Sequence, residues 1–440
     1  MGESAVLVIG AGIAGLAAAR TLALEGVSVA LVEARDRVGG RMNTVTGRTE
    51  GLPIELGAEF IHGAENATWE LIRAAKLRTR EVPERYWKLK DGKLTHDKYY
   101  WDDLTHVFER INTASPDQDF QSFLDQAWGI DARVRNLALQ YVEGFHAAPA
   151  SRIGTHALAL AERAAERDRA TQMFRVSRGY FALLHWLVRQ LIDRQVEIWT
   201  KARVKQVRWQ PGEVELLADT PAGERIFRAE RALVTLPLGV LKQEGPAGVL
   251  FEPRLTSKQG AIQSLALGSV VKIVLEFRSR FWPVANFGFI HLEEPLLPVW
   301  WSDRRGLVLT GWAGGPRAEI LRHQGPEGIL KTALQILSWL FKMDPGNLRE
   351  LLLGAYSHDW AEDPFTLGAY SYTPVRMTSM PSRLATPLSG TLFFAGEATD
   401  SEGEQGTVHG AVASGHRAAR EILESVRRGL PKRPELQAKR

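Results

Sequence analysis

Ala5 to Ile9 is an unbroken apolar run of strand length, and Gly10-Ala11-Gly12-Ile13-Ala14-Gly15 follows it without a gap. A continuously apolar strand suits a parallel sheet covered on both faces. The alanine- and leucine-rich stretch from Ile13 to about Glu25 favours helix, Gly26 ends it, and Val27–Val32 reads as the next strand. Strand, glycine turn, helix and strand in that order form the first half of a dinucleotide-binding unit. Each glycine has its own task. Gly10 permits the tight turn, Gly12 lets the backbone approach a pyrophosphate, and Gly15 lets helix and sheet pack closely. The helix start at Ile13 and Ala14 offers free N–H donors and a partial positive charge to phosphate. Glu33 closes the second strand where an acid grips the adenosine ribose hydroxyls, and its carboxylate would repel the 2′-phosphate of NADP.

The rest of the composition narrows the chemistry by exclusion. The chain has 440 residues, enough for two large interleaved domains or three small ones. Its 45% hydrophobic and 24% charged residues are ordinary globular proportions. Fifty-five basic against fifty-one acidic side chains leave +4, too even a balance for a nucleic-acid groove. There is no cysteine. That removes disulfides, thiolate nucleophiles, cysteine-ligated metals and a cofactor tethered through a cysteinyl thioether. No H-E-x-x-H motif exists and the histidines show no metal-ligand spacing, so no metal is expected. The first apolar stretch lacks a basic leader and is broken by glycines, and no run reaches the ~18 apolar residues of a membrane span. A soluble, cytoplasmic protein is the expectation.

Residues 65 to 200 read as mostly helical, interrupted at Pro83, Asp91-Gly92, Pro116 and Pro149. Strands are expected at 203–209, 213–217, 226–236, 270–277, 287–292, 307–312 and 391–395, with helices at 328–342 and 407–425. The tail after Gly429, with Lys432, Arg433, Lys439 and Arg440, reads as disordered and solvated. An N-terminal nucleotide unit closed by a C-terminal strand and helix implies discontinuous domains.

Glu33-Ala34-Arg35-Asp36-Arg37-Val38-Gly39-Gly40-Arg41 adds a glycine pair and an arginine able to meet phosphate. This segment resembles the flavoprotein amine oxidase superfamily. Ile54-Glu55-Leu56-Gly57-Ala58-Glu59 is similar to the family segment beside the isoalloxazine ring, and Val234-Thr235-Leu236-Pro237 to its return strand. Phe394-Ala395-Gly396-Glu397-Ala398-Thr399 and Gly406-Thr407-Val408-His409-Gly410-Ala411 are similar to the C-terminal flavin motif. The resemblance spans nearly the whole chain. It implies an α/β, glutathione-reductase-like fold: a Rossmann FAD-binding domain over 1–78, 200–245 and 375–428, and a substrate domain of mixed sheet and helices over 79–199 and 246–374.

The same resemblance assigns sites. Gly10, Gly12, Ile13, Ala14, Gly15, Glu33, Ala34, Arg35, Gly40 and Arg41 would hold the adenosine and pyrophosphate of a non-covalent FAD, with the Val204 backbone at adenine. Leu56, Gly57, Ala58, Glu59, Trp360, Gly396, Glu397, Thr407 and Val408 would surround the flavin end. Strand alternation puts Lys272, Val274 and Glu276 on one face. Read alone, Lys272 suits an edge strand that resists aggregation; the resemblance makes it a catalytic lysine whose amine is satisfied by a water at flavin N5. Trp360 and Tyr370 match an aromatic substrate cage, and Thr407 stands where monoamine oxidases carry a second tyrosine. His62, in Phe60-Ile61-His62-Gly63, is similar to polyamine oxidases, where it faces the substrate; Glu143 is a further substrate-side candidate. The implied reaction is hydride transfer from an amine carbon to FAD, imine hydrolysis, and reduction of oxygen to hydrogen peroxide. L-amino-acid oxidase and monoamine oxidase are the alternatives on this fold. A flavin desaturase or a non-enzymatic binding protein fits the intact motifs less well.

Overall fold

The computed structural model describes residues 4–283, 287–303 and 307–429; the tail expected to be disordered lies outside these from residue 430 onward. Strands Ser4–Ile9 and Val29–Val32 pair in parallel, and helix Ile13–Leu24 connects them. The long strand Gly223–Val234 serves two neighbours. Its first half pairs antiparallel with Glu213–Thr220, and its second half runs parallel to Ser4–Ile9 and to Leu392–Phe394. Arg203–Gln210 and Leu250–Glu252 extend this eight-stranded sheet at one end, and Glu197–Trp199 closes the other.

The domain boundaries differ from those expected. Helix Phe181–Ile192 packs on helix Ile13–Leu24, and Glu197–Trp199 is an edge of the dinucleotide sheet, although both fall before residue 200. Leu250–Glu252 likewise belongs to that sheet although it lies after residue 245. Strands of three residues carry too little alternation to be read from sequence.

A seven-stranded sheet forms the second body, in the order 352–357, 270–277, 308–314, 299–303, 289–291, 86–90, 93–96. Val270–Phe277 is flanked on both sides, so Lys272 is not on an edge strand. One face of that strand, Val271, Ile273, Leu275 and Phe277, packs into the core beneath helices Gly315–Arg322 and Gly325–Phe341. The other face meets the FAD-side segment: Val274 packs with Leu52 and Ile54, and Glu276 accepts from the Arg48 and Thr49 N–H groups. Helices 100–108, 120–126, 132–145 and 155–168 add a helical layer with an aromatic core. Strands Thr79–Val82, Tyr86–Lys90, Lys93–His96 and Met173–Val176 interrupt the region read as mostly helical. Among the described residues no helix is long and apolar enough to cross a membrane.

Candidate active site

The three N-terminal glycines separate by geometry as their spacing predicts. Gly10 has φ +104°, and a Cβ there would stand 2.8 Å from Thr235 Oγ1. A Cβ on Gly15 would lie 2.2 Å from the Gly10 carbonyl, so that glycine is required by packing alone. A Cβ on Gly12 would meet nothing within 4 Å. It would point into a cavity of about 1100 Å³, and helix Ile13–Leu24 starts there with no side-chain cap on its first N–H groups. Glu33 accepts from Ala11 N–H at 2.7 Å and Arg35 N–H at 2.8 Å. Burial pushes its carboxyl up, and these two N–H groups oppose that. An open glycine, an uncapped helix start and a strand-end acid are the donor set a dinucleotide needs, so the residues present fit FAD.

The same cavity continues to the other predicted positions. Ala34, Arg35, Gly40, Arg41, Leu56, Gly57, Ala58, Glu59, His62, Val204, Lys272, Trp360, Tyr370, Gly396, Glu397, Thr407 and Val408 all line it. A bulge between Val204 and Gln206 interrupts the ladder where backbone contact with adenine is expected. Gly15 and Glu143 do not line it. Glu143 accepts weakly from Ala150 N–H at 3.4 Å and feels Arg317, while its neighbour Gly144 lines the cavity.

Several side chains have partners that the linear sequence does not show. Arg35 makes a bidentate pair with Asp363, at 2.8 and 2.6 Å, and tethers the fingerprint to the 358–366 segment. Arg41 Nη1 donates to Glu397 at 2.8 Å and to the Ala369 carbonyl at 2.7 Å. Glu397 also accepts from Ser371 Oγ at 2.6 Å and Gly406 N–H at 3.0 Å, which joins the C-terminal motif to the tyrosine strand. Thr407 caps helix Val408–Arg428: its hydroxyl accepts from Gly410 N–H and donates to the Glu404 carbonyl. That helix start faces the cavity.

Lys272 has two partners inside the protein. Its Nζ lies 2.7 Å from Glu59 Oε2 and donates to the Gly57 carbonyl at 3.1 Å, with the side chain 3% exposed. Glu59 in turn accepts from Arg175 Nε at 2.7 Å and Trp301 Nε1 at 3.1 Å. Burial pushes Glu59 up, but Lys272 and Arg175 outweigh it and hold the carboxyl below its usual range. A cation and an anion are therefore fixed side by side at the cavity wall. Around them stand Trp301, Trp312, Trp360 and Tyr370. Trp360 Nε1 donates to the Leu56 carbonyl and Tyr370 Oη to the Phe145 carbonyl, so each ring is held by its polar end. His62 lies edge-on to Phe60 and Phe145, and burial pushes its imidazole down to about 4, so it is neutral at neutral pH.

The profile of the family described as flavin containing amine oxidoreductase matches residues 13–177 and 115–423. The chain belongs to that family. It is an FAD-dependent amine oxidoreductase. Polyamine oxidase 4 of Oryza sativa subsp. japonica is 28% identical, covering 97% of this chain and 90% of that protein. Lysine-specific histone demethylase 1 homolog 2 of Arabidopsis thaliana is also 28% identical over 96% of this chain, which spans only 58% of that protein. Putrescine oxidase solved with putrescine bound shares the fold at TM-score 0.79 and 23% identity, covering 96% and 99% of the two chains. Cyclohexylamine oxidase from Brevibacterium oxydans IH-35A does so at TM-score 0.80 and 21% identity, covering 97% and 100%.

This amine oxidoreductase also has cavity residues with little or no signal in the linear sequence. Trp301 and Trp312 carry no local signal beyond being aromatic in strands, and Arg175 sits in an ordinary strand pattern. Asp168, Glu404 and His409 come together within 4.8 Å although no metal-ligand spacing links them in sequence. His409 was the legible one, since it stands inside the C-terminal flavin block.

Proposed function

We propose that this amine oxidoreductase oxidises a polyamine, holding FAD without a covalent bond. The observation that carries the reading is His62: a neutral imidazole held edge-on to Phe60 and Phe145 in the wall of the cavity that Lys272 and Glu59 also line. The similarity to proteins named polyamine oxidase supports it. Bound FAD supplies a two-electron acceptor for the amine C–H bond and, through it, reduction of oxygen to hydrogen peroxide. The chain contributes orientation and charge. Aromatic faces at Trp301, Trp360 and Tyr370 exclude water and tolerate a cationic amine as it loses its proton. His62 accepts a hydrogen bond from the amine nitrogen without competing for its charge. Lys272, paired with Glu59, places N–H donors at the wall where charge develops. The absence of cysteine rules out a thioether link to the flavin.

Peroxide release from the purified holoenzyme, measured with spermidine, spermine, benzylamine and free amino acids, tests the reading. The expected result is the highest kcat/KM on a polyamine. Robust turnover of benzylamine with none of polyamines would move the protein to the monoamine class.

A further inference from the structure

The cavity wall carries a second polar cluster, built from residues other than the glycine turn and the Lys272–Glu59 pair. Asp168 ends helix Thr155–Asp168, Glu404 lies in the loop before helix Val408–Arg428, and His409 stands in that helix's first turn. All three line the cavity, and their ligand atoms lie within 4.8 Å of one another. Arg167 reaches both carboxylates: Nε is 3.1 Å from Asp168 Oδ1 and Nη2 is 2.6 Å from Glu404 Oε1. One oxygen of each acid is thereby satisfied. Asp168 Oδ2 is buried with no hydrogen-bond partner, in a residue 4% exposed. Among the described residues no hydrogen bond reaches the imidazole of His409, which is 7% exposed.

A third carboxylate, the buried Asp400, accepts from the Glu402 and Glu404 N–H groups beside the cluster. Three acids thus face one guanidinium, while burial pushes His62 to about 4 and His409 to about 3 and leaves both neutral. Burial first, then Asp400 and Asp168, push Glu404 up to about 7. Protonated, Glu404 hydrogen-bonds Asp168; ionised, it leaves the cluster with more acceptors than donors and more negative charge than Arg167 balances. An ammonium brings three N–H donors and one positive charge. His62 is anchored to the same place. Gly63 has φ +83° and a Cβ there would stand 2.3 Å from the Asp168 carbonyl, which accepts from Ala64 N–H at 3.0 Å.

We propose that Asp168, Glu404 and His409 seat the second ammonium of a di- or polyamine whose reacting nitrogen lies in the aromatic enclosure. The proposal rests on the amine oxidase reading above and specifies how it selects its substrate. A divalent metal ion is the rival occupant of the same ligand set, but it would have to sit against the Arg167 guanidinium, which already holds one oxygen of each acid.

The test compares putrescine with butylamine, which has the same carbon chain and one nitrogen fewer, on holoenzyme with verified FAD content. The wild type should favour putrescine by at least about tenfold in kcat/KM. Glu404→Gln and Asp168→Asn should each lower that ratio by about tenfold. The ratio should also fall below about pH 7 as Glu404 takes a proton, and Glu404→Gln should remove that step. Calorimetry on holoenzyme whose FAD has first been reduced with dithionite under nitrogen gives the same contrast as a putrescine Kd without turnover, and Glu404→Gln suffices if Asp168→Asn does not fold. A wild type that favours butylamine sinks the polyamine reading and this site together. A putrescine preference, or a putrescine Kd, that survives both substitutions leaves the polyamine reading standing and overturns the site. Tight Mn2+ binding that excludes putrescine overturns it in favour of a metal centre.

Discussion

At the scale of single residues, Lys272 shows how a partner changes a prediction. On an apolar strand its buried amine needs satisfaction, and the structure supplies Glu59 and the Gly57 carbonyl. Lys272→Met keeps the side-chain length and should leave the strand and the FAD content intact. It strands Glu59, whose remaining donors are Arg175 and Trp301. A loss of about 1–3 kcal/mol in urea unfolding is therefore expected, and adding Glu59→Gln should recover part of it. Stopped-flow should show flavin reduction, reoxidation or both slowed by at least about tenfold, equivalent to ~1.4 kcal/mol. Unchanged rates with an unchanged unfolding midpoint would leave Lys272 an ordinary strand residue. His62 was legible as a candidate from its motif, but its protonation state follows from burial, which no local spacing encodes.

At the scale of elements, the glycine turn gives two substitutions that look alike in sequence and should behave oppositely. Gly12 has φ −68° and ψ 174°, open to any residue, and its added Cβ would touch no protein atom. Gly12→Ala should fold with a native circular dichroism spectrum and purify depleted of flavin absorbance. Gly15→Ala would press a Cβ to 2.2 Å from the Gly10 carbonyl and should be insoluble or strongly destabilised. Equal FAD content in both soluble variants would contradict this division. Elements with strong patterns were readable: strand Val270–Phe277 has its expected bounds, and the C-terminal helix begins at its expected threonine cap. The hairpin Tyr86–Lys90 and Lys93–His96 was missed although Asp91-Gly92, at φ 50° and 68°, is the pair that a two-residue hairpin turn favours. Val299–Asp303 has neighbours on both sides and needs little alternation of its own, whereas Leu352–Ser357 is an edge strand paired only with Val270–Phe277, and its Leu-Leu-Gly-Ala start carries no alternation to read.

At the scale of the whole molecule, buried titratable groups set the pH response of stability. His62, His146 and His291 are pushed down to about 4 and His409 to about 3 by burial. Unfolded, they take protons near the ordinary ~6.5, so folding loses stability as pH falls from about 6.5 toward 4. Glu55, Glu162 and Glu404 are pushed up to about 7, first by burial. Unfolded carboxylates release protons near ~4.3, so these three cost stability as pH rises from there toward 7. Four groups oppose three across nearly one window. The holoenzyme melting temperature should therefore change little between about pH 5 and 6.5. It should fall steeply only below about pH 4, where Asp363, Glu59 and Glu276, all held low, lose the stability they contribute when ionised. Fluorimetric melts across the range check this, and a steep slope of either sign between about pH 5 and 6.5 overturns it. The dinucleotide unit, the lysine strand and the capped C-terminal helix are written in local sequence, because turn chemistry, periodicity and capping act over a few residues. What faces each of them is set by long-range packing. Arg175 meets Glu59 across 116 residues and Arg167 meets Glu404 across 237. Strand and helix periods say which way a side chain points, while its partner, its burial and hence its charge depend on segments brought together only when the sheets and helices pack.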